Sequence, residues 1–218
     1  MLKTVIKQAL KLDLAVHNFT YRVAGYLATK LEGGVHPKHR ITGYHHFFRE
    51  HINEGDIVLD IGCGNGELTH DLSFKAQWIY GMEIDESKLK YARDHNWRPN
   101  IIYIRGDATD GNIYPLCSDR KKFDVIIMSN LLEHIENRVV FLRQWAGKTE
   151  KILLRVPLLN RGWLPVYMKE MGLDYRLDAD HKIEHTLGSL ISELREAGLT
   201  LTEHTEQFGE LWGTVEKC

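Results

Sequence analysis

The stretch VLDIGCGNGEL, residues Val58 to Leu68, decides the fold of this 218-residue chain. An apolar run leads into glycines at every second position, Gly62, Gly64 and Gly66. Glycine adopts backbone conformations closed to other residues and lets a ligand or another backbone approach closely. The pattern predicts a buried strand that turns sharply into a helix. Three uses of such a loop stay open: holding a dinucleotide, holding a nucleoside cofactor without phosphates, or forming only a tight turn.

Strand-like apolar segments alternate with helical patterns on both sides of this loop. The strand-like segments cover residues 56–61, 77–84, 100–107, 123–130 and 151–157. Such alternation predicts parallel strands joined by crossover helices, which is a doubly wound α/β sheet. The last two segments, 199–209 and 210–218, follow each other without a helix and predict a hairpin that adds an antiparallel strand. We therefore expect a mostly parallel, seven-stranded, Rossmann-like sheet.

A helical extension, residues 1–52, precedes the domain predicted for residues 53–218. Its apolar residues are spaced alternately three and four apart, which predicts an amphipathic helix ended by Gly33 and Gly34. A turn and a second helix follow over residues 36–52. This apolar stripe allows packing on its own domain, pairing with a second chain in a homodimer, or contact with an anionic membrane. It consists of Leu2, Val5, Ala9, Leu12, Val16, Phe19, Val23 and Tyr26. We expect the helix to help cover the active-site edge of its own domain.

An insertion at residues 157–186 interrupts the alternation directly after the fifth strand. Ligands of open α/β sheets bind at the carboxyl ends of the strands. The position of this long segment therefore predicts that it covers a ligand-binding site at that edge.

Composition narrows the class of protein. The chain is 43% hydrophobic and 27% charged, and no apolar run approaches the ~20 residues of a membrane span. The N-terminus lacks the features of a secretory signal, so we expect a cytoplasmic protein without stable membrane insertion. Cys63, Cys117 and Cys218 show no paired spacing, which argues against a cysteine zinc site. The net charge of −2 argues against a nucleic-acid partner.

Polar residues follow each of the first four predicted strands. Asp60 stands before the glycine loop, Glu83 ends the second strand and Asp107 the third, and Ser129 and Asn130 end the fourth. The carboxyl ends of parallel strands meet at one sheet edge, so these side chains are expected together. The spacing G-x-G-x-G also departs from the G-x-G-x-x-G of dinucleotide sites.

In order and spacing, these segments resemble the motifs of the class I S-adenosylmethionine-dependent methyltransferases over residues 56–198. The cofactor of that family carries an ammonium, a sulfonium, a ribose diol and an adenine, but no phosphate. The resemblance implies that Gly62 and Gly64 let the backbone approach its methionine part, and that Asp60 orders the loop and the ammonium group. It also implies that Glu83 accepts hydrogen bonds from both ribose hydroxyls.

The same resemblance implies roles at the next two strand ends. Asp107 would accept from the adenine amino group, with Ala108 against the ring, while Ser129 and Asn130 would border the methyl group. Asp85 competes with Glu83 as the ribose acid, but its position predicts the cap of the following helix.

Glu133 and His134 in LLEHIEN are read as a capped turn or as metal ligands, such as some methyltransferases use. The turn is preferred, and no metal is expected.

His181, in DADHKIEHT, is the predicted catalytic residue. Many methyltransferases carry a similar D-x-x-H-x-x-E stretch before a helix that ends in EAGL, and the resemblance implies that its histidine points into the acceptor site. A general base is needed only when the acceptor is a protonated oxygen or nitrogen. Both an acceptor-contacting role and a general-base role for His181 stay open.

Two sequence motifs that are missing narrow the class of methyl acceptor. The fourth strand ends in SNLL rather than N-P-P-Y, and no Pro-Cys pair is present, which argues against nucleobase methylation. The segment HPKHRITGYHH resembles the lead-in of bacterial methyltransferases of surface polysaccharide synthesis. Its basic side chains either contact an anionic acceptor or form a solvated helix cap: His36, Lys38, His39 and Arg40.

We therefore expect methyl transfer from S-adenosylmethionine to an oxygen of a small-molecule or glycan acceptor. Two alternatives stay open, a catalytically silent cofactor-binding protein and an NAD-dependent dehydrogenase. The loop spacing and the acids Asp60 and Asp107 argue against the dehydrogenase.

Overall fold

The computed structural model describes residues 2–33, 36–110 and 122–218, so Gly34 and Cys117 lie outside the described residues. Seven strands form one sheet: β1 Ile57–Ile61, β2 Trp78–Glu83, β3 Ile101–Arg105, β4 Val125–Ser129, β5 Lys151–Pro157, β6 Leu199–Gln207 and β7 Glu210–Lys217. Their order is β3-β2-β1-β4-β5-β7-β6. The first five are parallel, and β7 runs antiparallel to both β5 and β6. The predicted doubly wound sheet with an antiparallel terminal strand is confirmed.

Helices cover both faces of the sheet and extend the N-terminus. They are α1 Leu2–Leu31, α2 Lys38–Thr42, α3 Tyr44–Glu50, α4 Glu67–Leu72, α5 Glu86–His95, α6 Arg138–Ala146, α7 Trp163–Glu170 and α8 Leu187–Glu196, with a short 3₁₀ helix at Leu132–His134. One core layer centres on Leu142, Trp145 and Leu190, and the other on Phe48 and Leu72. Burial on both faces explains why the central strands are continuous apolar runs.

Two helices differ from the sequence expectation. The single helix expected after residue 36 is divided into α2 and α3, because Gly43 between them adopts the left-handed conformation, with φ +64°. The insertion contains α7, which begins at Trp163 and carries Pro165 in its first turn, where proline is tolerated.

Helix α1 forms as predicted, but its apolar stripe faces solvent. Val5, Leu12 and Phe19 are 62%, 69% and 67% exposed. Leu14, the buried residue of α1, lies about half a turn from Leu12 around the helix. The stripe therefore does not pack on its own domain. Helix α1 meets that domain through its other face, where Tyr21 lines a cavity beside the insertion. No helix within the described ranges combines the length and apolar character required to cross a membrane.

Candidate active site

The glycine loop joins β1 to α4 through left-handed backbone conformations. Gly62, Gly64 and Gly66 have φ values of +75°, +57° and +83°. A side chain at any of these positions would strain the loop. A Cβ built on Gly64 meets none of the described atoms within 4 Å, so this part of the backbone borders open space. The loop thus presents bare backbone to the cavities around it.

Glu83 holds this loop in place from the end of β2. Its carboxylate accepts hydrogen bonds from the backbone N–H of Gly64 at 3.0 Å, of Ile84 at 2.8 Å and of Asp85 at 3.0 Å. Asp85 instead caps α5, because its side chain accepts from the backbone N–H of Ser87. The cap predicted for Asp85 is present, and of the two acids Glu83 is the one that lines a cavity.

A cavity of about 350 Å³, here called the Glu83 cavity, lies at the carboxyl ends of the parallel strands. Six of the eight predicted cofactor residues line it: Gly62, Gly64, Glu83, Asp107, Ala108 and Asn130. The Oδ1 atom of Asp107 accepts from the backbone N–H and the hydroxyl of Thr109, which fixes this carboxylate at the rim. Two carboxylates and bare backbone suit a ligand with hydroxyl and amino groups.

The Asp60 cavity, about 230 Å³ in volume, lies on the other side of the glycine loop. Its lining includes the remaining two predicted residues, Asp60 and Ser129, together with Gly62 and Gly64. Asp60 is 2% exposed and accepts from the Thr69 hydroxyl at 2.6 Å. Burial raises the pKa of Asp60 to about 6.

The His181 cavity, about 300 Å³, is lined by residues from five separate parts of the chain. These include Lys38, Asn130, His134, His181 and Glu210. His181 comes from the insertion, as expected for a residue on the acceptor side.

Asn130 lines all three cavities. It adopts a left-handed backbone conformation with φ +51°, which asparagine tolerates better than most residues. Its Oδ1 atom is buried without a hydrogen-bond partner in the part of the chain that the structure describes. A buried polar atom without a partner costs free energy. This oxygen, at the junction of the three cavities, is therefore available to accept a hydrogen bond from a ligand.

A chain of polar contacts orients His181. Its Nδ1 atom lies 3.3 Å from Glu184 Oε1, and Glu184 also pairs with Arg161 and accepts from the backbone N–H of Leu177. Burial alone would lower the pKa of His181, but the hydrogen bond to Glu184 and the charge of Glu133 raise it. The second ring nitrogen of His181 is left for other partners.

Glu133 and His134 lie in a turn, as preferred, but no side chain caps it. Glu133 lies within the 3₁₀ helix, is fully buried, and neither carboxylate oxygen has a hydrogen-bond partner among the described residues. Burial raises the pKa of Glu133 to about 7. The neighbouring His134 places Nδ1 3.0 Å from Asp180 Oδ2.

Sequence reasoning missed Arg155, which lines the Asp60 cavity. Arg155 is 2% exposed, pairs with Glu210 at 2.6 Å and 2.7 Å, and stacks its guanidinium 3.8 Å from the centre of the Tyr44 ring. The signal was a single charge between Ile152 and Pro157 in a strand that is otherwise apolar. Lone charges in buried strands are almost always paired, so its position pointed to a partner.

The basic N-terminal residues divide between the cavities and the surface. His36 and Lys38 line the His181 cavity, while Lys38 and His39 line the Asp60 cavity. Burial and the nearby charge of Arg155 lower the pKa of Lys38. Arg40 pairs instead with Glu32 at 2.8 Å on the surface, outside these three cavities.

Comparison with known proteins gives a family match over the same segments. A family model described as a methyltransferase domain matches residues 58–149. A ubiquinone biosynthesis O-methyltransferase of Bradyrhizobium diazoefficiens is 30% identical over 55% of this chain and 46% of its own length. A ribosomal RNA small subunit methyltransferase A of Desulfotalea psychrophila is 31% identical over 41% of this chain and 30% of its own length. The chain thus spans half or less of these two relatives.

Solved structures share the fold at low sequence identity. Magnesium protoporphyrin IX methyltransferase from Synechocystis, with bound S-adenosylhomocysteine, has a TM-score of 0.64 at 14% identity over 99% of this chain and all of its own. A structure of a Haloferax volcanii methyltransferase complex with its activator has a TM-score of 0.66 at 15% identity, over 88% of this chain and 94% of that one. These likenesses show a shared fold, while the matched model and the ordered strand-end motifs identify residues 58–149 as a methyltransferase domain of the class I type, whose cofactor is S-adenosylmethionine.

Proposed function

We propose that this protein transfers a methyl group from S-adenosylmethionine to a hydroxyl oxygen of a small-molecule or glycan acceptor. The observation that carries the proposal is the position of Asn130, where the two cavities around the glycine loop meet the His181 cavity. A methyl group bound beside Asn130 would face an acceptor in the third cavity.

The proposed cofactor contacts follow the residues around the glycine loop. Glu83 accepts from the ribose hydroxyls. Of the roughly four acceptor sites of its carboxylate, the three backbone bonds leave one on Oε2, so the second hydroxyl shares an oxygen with a backbone N–H. Asp107 accepts from the adenine amino group at the rim, with Ala108 against the ring. Glu83, Asp107 and Ala108 all line the Glu83 cavity, which supports this assignment.

On the other side of the loop, Asp60 orders the backbone that receives the methionine part. Gly62 and Gly64 border both cavities, so a bound cofactor can pass between them against bare backbone. Ser129 and Asn130 border the methyl group at the junction.

The cofactor, when bound, would supply a sulfonium methyl group, and an acceptor oxygen would attack the methyl carbon in line and displace the thioether. The new carbon–oxygen bond would replace the carbon–sulfur bond, whose electron pair stays on sulfur, and the hydroxyl proton would pass to His181 or to water. Holding the oxygen near contact and in line is expected to supply much of the rate. His181 is the proposed catalytic residue, because its ring lies in the His181 cavity and is oriented by Glu184.

The division of the chain supports this arrangement. We propose an extension at residues 1–52, a methyltransferase domain at residues 53–218, and an acceptor-site insertion at residues 157–186. The extension contributes Lys38 and the insertion contributes His181 to the same cavity. Its lining mixes positive and negative side chains, which favours a polar acceptor over a hydrocarbon one.

A binding screen followed by methyl transfer tests this function. Calorimetry should show binding of S-adenosylmethionine or S-adenosylhomocysteine and little binding of NAD. Labelled methyl transfer into small-molecule and glycan libraries, including nucleotide sugars, should then give an O-methylated product. Tight NAD binding without binding of the sulfonium compound would support a dehydrogenase, and cofactor binding without transfer to any acceptor would support a silent binding protein.

We also propose a second copy of the chain as the partner of the exposed α1 stripe. Alternate spacings of three and four from Leu2 to Tyr26 match the period of a two-stranded coiled coil over about 36 Å. Because Leu12, Val16 and Phe19 are exposed, the stripe is accessible to a partner helix.

Sedimentation of the full chain tests the dimer. The wild type should sediment as a dimer, and Val16→Glu with Phe19→Glu should convert it to a monomer because two charges per chain would enter the seam. Lys7→Glu, about half a turn away on the helix, is the matched control and should leave the dimer intact. A monomeric wild type at every concentration would contradict the proposal.

A further inference from the structure

Three side chains with metal-binding atoms converge where the 3₁₀ helix after β4 meets the insertion. A carboxylate oxygen of Glu133 and ring nitrogens of His134 and His181 all lie within 4.8 Å of one another. The two rings meet edge to face, with their centroids 4.8 Å apart. Such a distance between donor atoms fits ligands of one central ion.

Glu133 is the member of this cluster that most needs a partner. The side chain is 0% exposed, and both oxygens lack a hydrogen-bond partner in the described ranges. Burying a carboxylate without a compensating charge or hydrogen bond is strongly unfavourable. A cation in the cluster would supply the missing charge.

Both histidines are oriented as metal ligands usually are. Nδ1 of His134 lies 3.0 Å from Asp180 Oδ2, and Nδ1 of His181 lies 3.3 Å from Glu184 Oε1. A ligating histidine almost always donates its other ring N–H to a carboxylate or carbonyl, which fixes the tautomer. The carboxylates therefore leave the second nitrogen of each ring, with its lone pair, for an ion.

We propose that Glu133, His134 and His181 bind one divalent transition-metal cation. Two imidazoles and one carboxylate suit Mn²⁺, Fe²⁺, Co²⁺ or Zn²⁺ better than Ca²⁺, which prefers oxygen ligands only. All three residues line the His181 cavity, and the side chain of His134 is 33% exposed there, so coordination positions remain open to a ligand. Asn130 Oδ1, buried without a partner, lines the same cavity.

A second grouping, Asp178, Asp180 and His181, shares one histidine with this cluster. Its two acids are exposed, whereas Glu133 is buried. Exposed carboxylates are satisfied by water and need no ion, so the buried grouping is the stronger site.

The consequence for catalysis rests on the proposed function, whereas cation binding itself does not. An acceptor hydroxyl bound to the ion would have a lowered pKa and would lose its proton to water more readily. The same ring nitrogen of His181 cannot both bind the ion and take that proton. With an ion bound, His181 would therefore act as its ligand, and the general-base role that the sequence left open would apply to the ion-free protein alone.

Mn²⁺ binding to the chelator-treated full chain tests the site directly. Calorimetry should show one bound ion per chain, and the electron paramagnetic resonance signal of free Mn²⁺ should decrease by the corresponding amount. Glu133→Gln keeps the shape of the side chain and should weaken binding at least ~100-fold, since it removes a ligand whose supporting contacts alone are worth ~10–100-fold. Glu136→Gln, three residues along and exposed, is the matched control and should bind as the wild type does.

If Glu133→Gln fails to fold, His134→Ala provides the test instead, because the His134 side chain is partly exposed and its loss is better tolerated. Equal Mn²⁺ binding by the wild type, Glu133→Gln and His134→Ala would overturn the site and assign the ion to other histidines. Absence of Mn²⁺ and Zn²⁺ binding in the wild type would also overturn it, even if methyl transfer proceeds. Cation binding without methyl transfer would leave the site standing while the proposed function fails.

Discussion

The two halves of the proposed active site are built by different means: the proposed cofactor half consists of the Glu83 and Asp60 cavities, and the proposed acceptor half is the His181 cavity. The Glu83 and Asp60 cavities draw their predicted cofactor residues from consecutive strand ends between residues 60 and 130. The His181 cavity instead joins α1, the segment before α2, the end of β4, the insertion and the start of β7. The residues of the first half follow one another in sequence motifs, whereas those of the second are brought together only by the tertiary structure.

The halves also differ in how their buried polar groups are satisfied. On the cofactor side, Glu83 and Asp60 accept hydrogen bonds from backbone amides and from Thr69. On the proposed acceptor side Glu133, and at the junction of the three cavities the Asn130 oxygen, have no partner among the described residues. Buried polar atoms without partners are rare in native proteins, so a cluster of them marks where a ligand is expected.

Removing His181 is the test with the largest expected effect, and it separates the two halves. His181→Ala should lower turnover roughly 10²–10⁴-fold if the residue acts on the acceptor proton, and less if it only positions the acceptor. Affinity for S-adenosylhomocysteine should stay unchanged, because His181 does not line the two cofactor cavities. Steady-state kinetics and calorimetry would measure both.

His204→Ala, an exposed histidine on β6, is the control for that variant. A His181→Ala protein that turns over normally, or one that loses cofactor affinity, would place His181 outside the acceptor half.

Glu83→Ala is the matching test of the cofactor half. Loss of hydrogen bonds to a charged group costs about 1.5–3 kcal/mol, which corresponds to roughly 10–150-fold weaker S-adenosylhomocysteine binding. The loop also loses the carboxylate that accepts from Gly64. Calorimetry of Glu83→Ala against Glu86→Ala, an exposed residue of α5, measures the effect. Equal affinities of the two variants would mean that Glu83 only supports the loop.

Acid should weaken the contacts that Glu193 makes with Arg138 and His185 next to the proposed acceptor half. Glu193 of α8 accepts from Arg138 and lies 3.1 Å from His185, the residue that follows the ion-paired Glu184. Burial alone would raise the pKa of Glu193, but the hydrogen bonds from His185 and Arg138 lower it to about 2 from an ordinary 4.5. A lowered pKa stabilises the fold above the unfolded value, so this contribution is lost as pH falls from 4.5 to about 2.

Urea unfolding of Glu193→Gln tests that contribution. At pH 7 the variant should be less stable by about 1.5–3 kcal/mol, and the difference from the wild type should shrink as pH falls toward 2. Glu196→Gln, exposed on the same helix, is the control. A difference that stays constant between pH 7 and pH 3 would show that the Glu193 charge does not contribute.

The sequence by itself determined the sheet and the cofactor edge. Strand alternation, the glycine spacing of the loop and the cap at Asp85 are local features, because each depends on residues only a few positions apart. Parallel strands then bring their carboxyl ends together without further information. The strand positions and the convergence of Glu83 and Asp107 on one cavity were therefore accessible from the chain alone.

Only the tertiary structure decided which face of α1 is buried, because periodicity finds an apolar stripe but does not say what covers it. It also decided the partners of Arg155, since Tyr44 and Glu210 lie 111 and 55 positions away along the chain. The same holds for Glu133, whose burial beside His181 depends on how the insertion folds back over β4. Long-range packing sets the desolvation and charge of such side chains, and a sequence pattern does not record it.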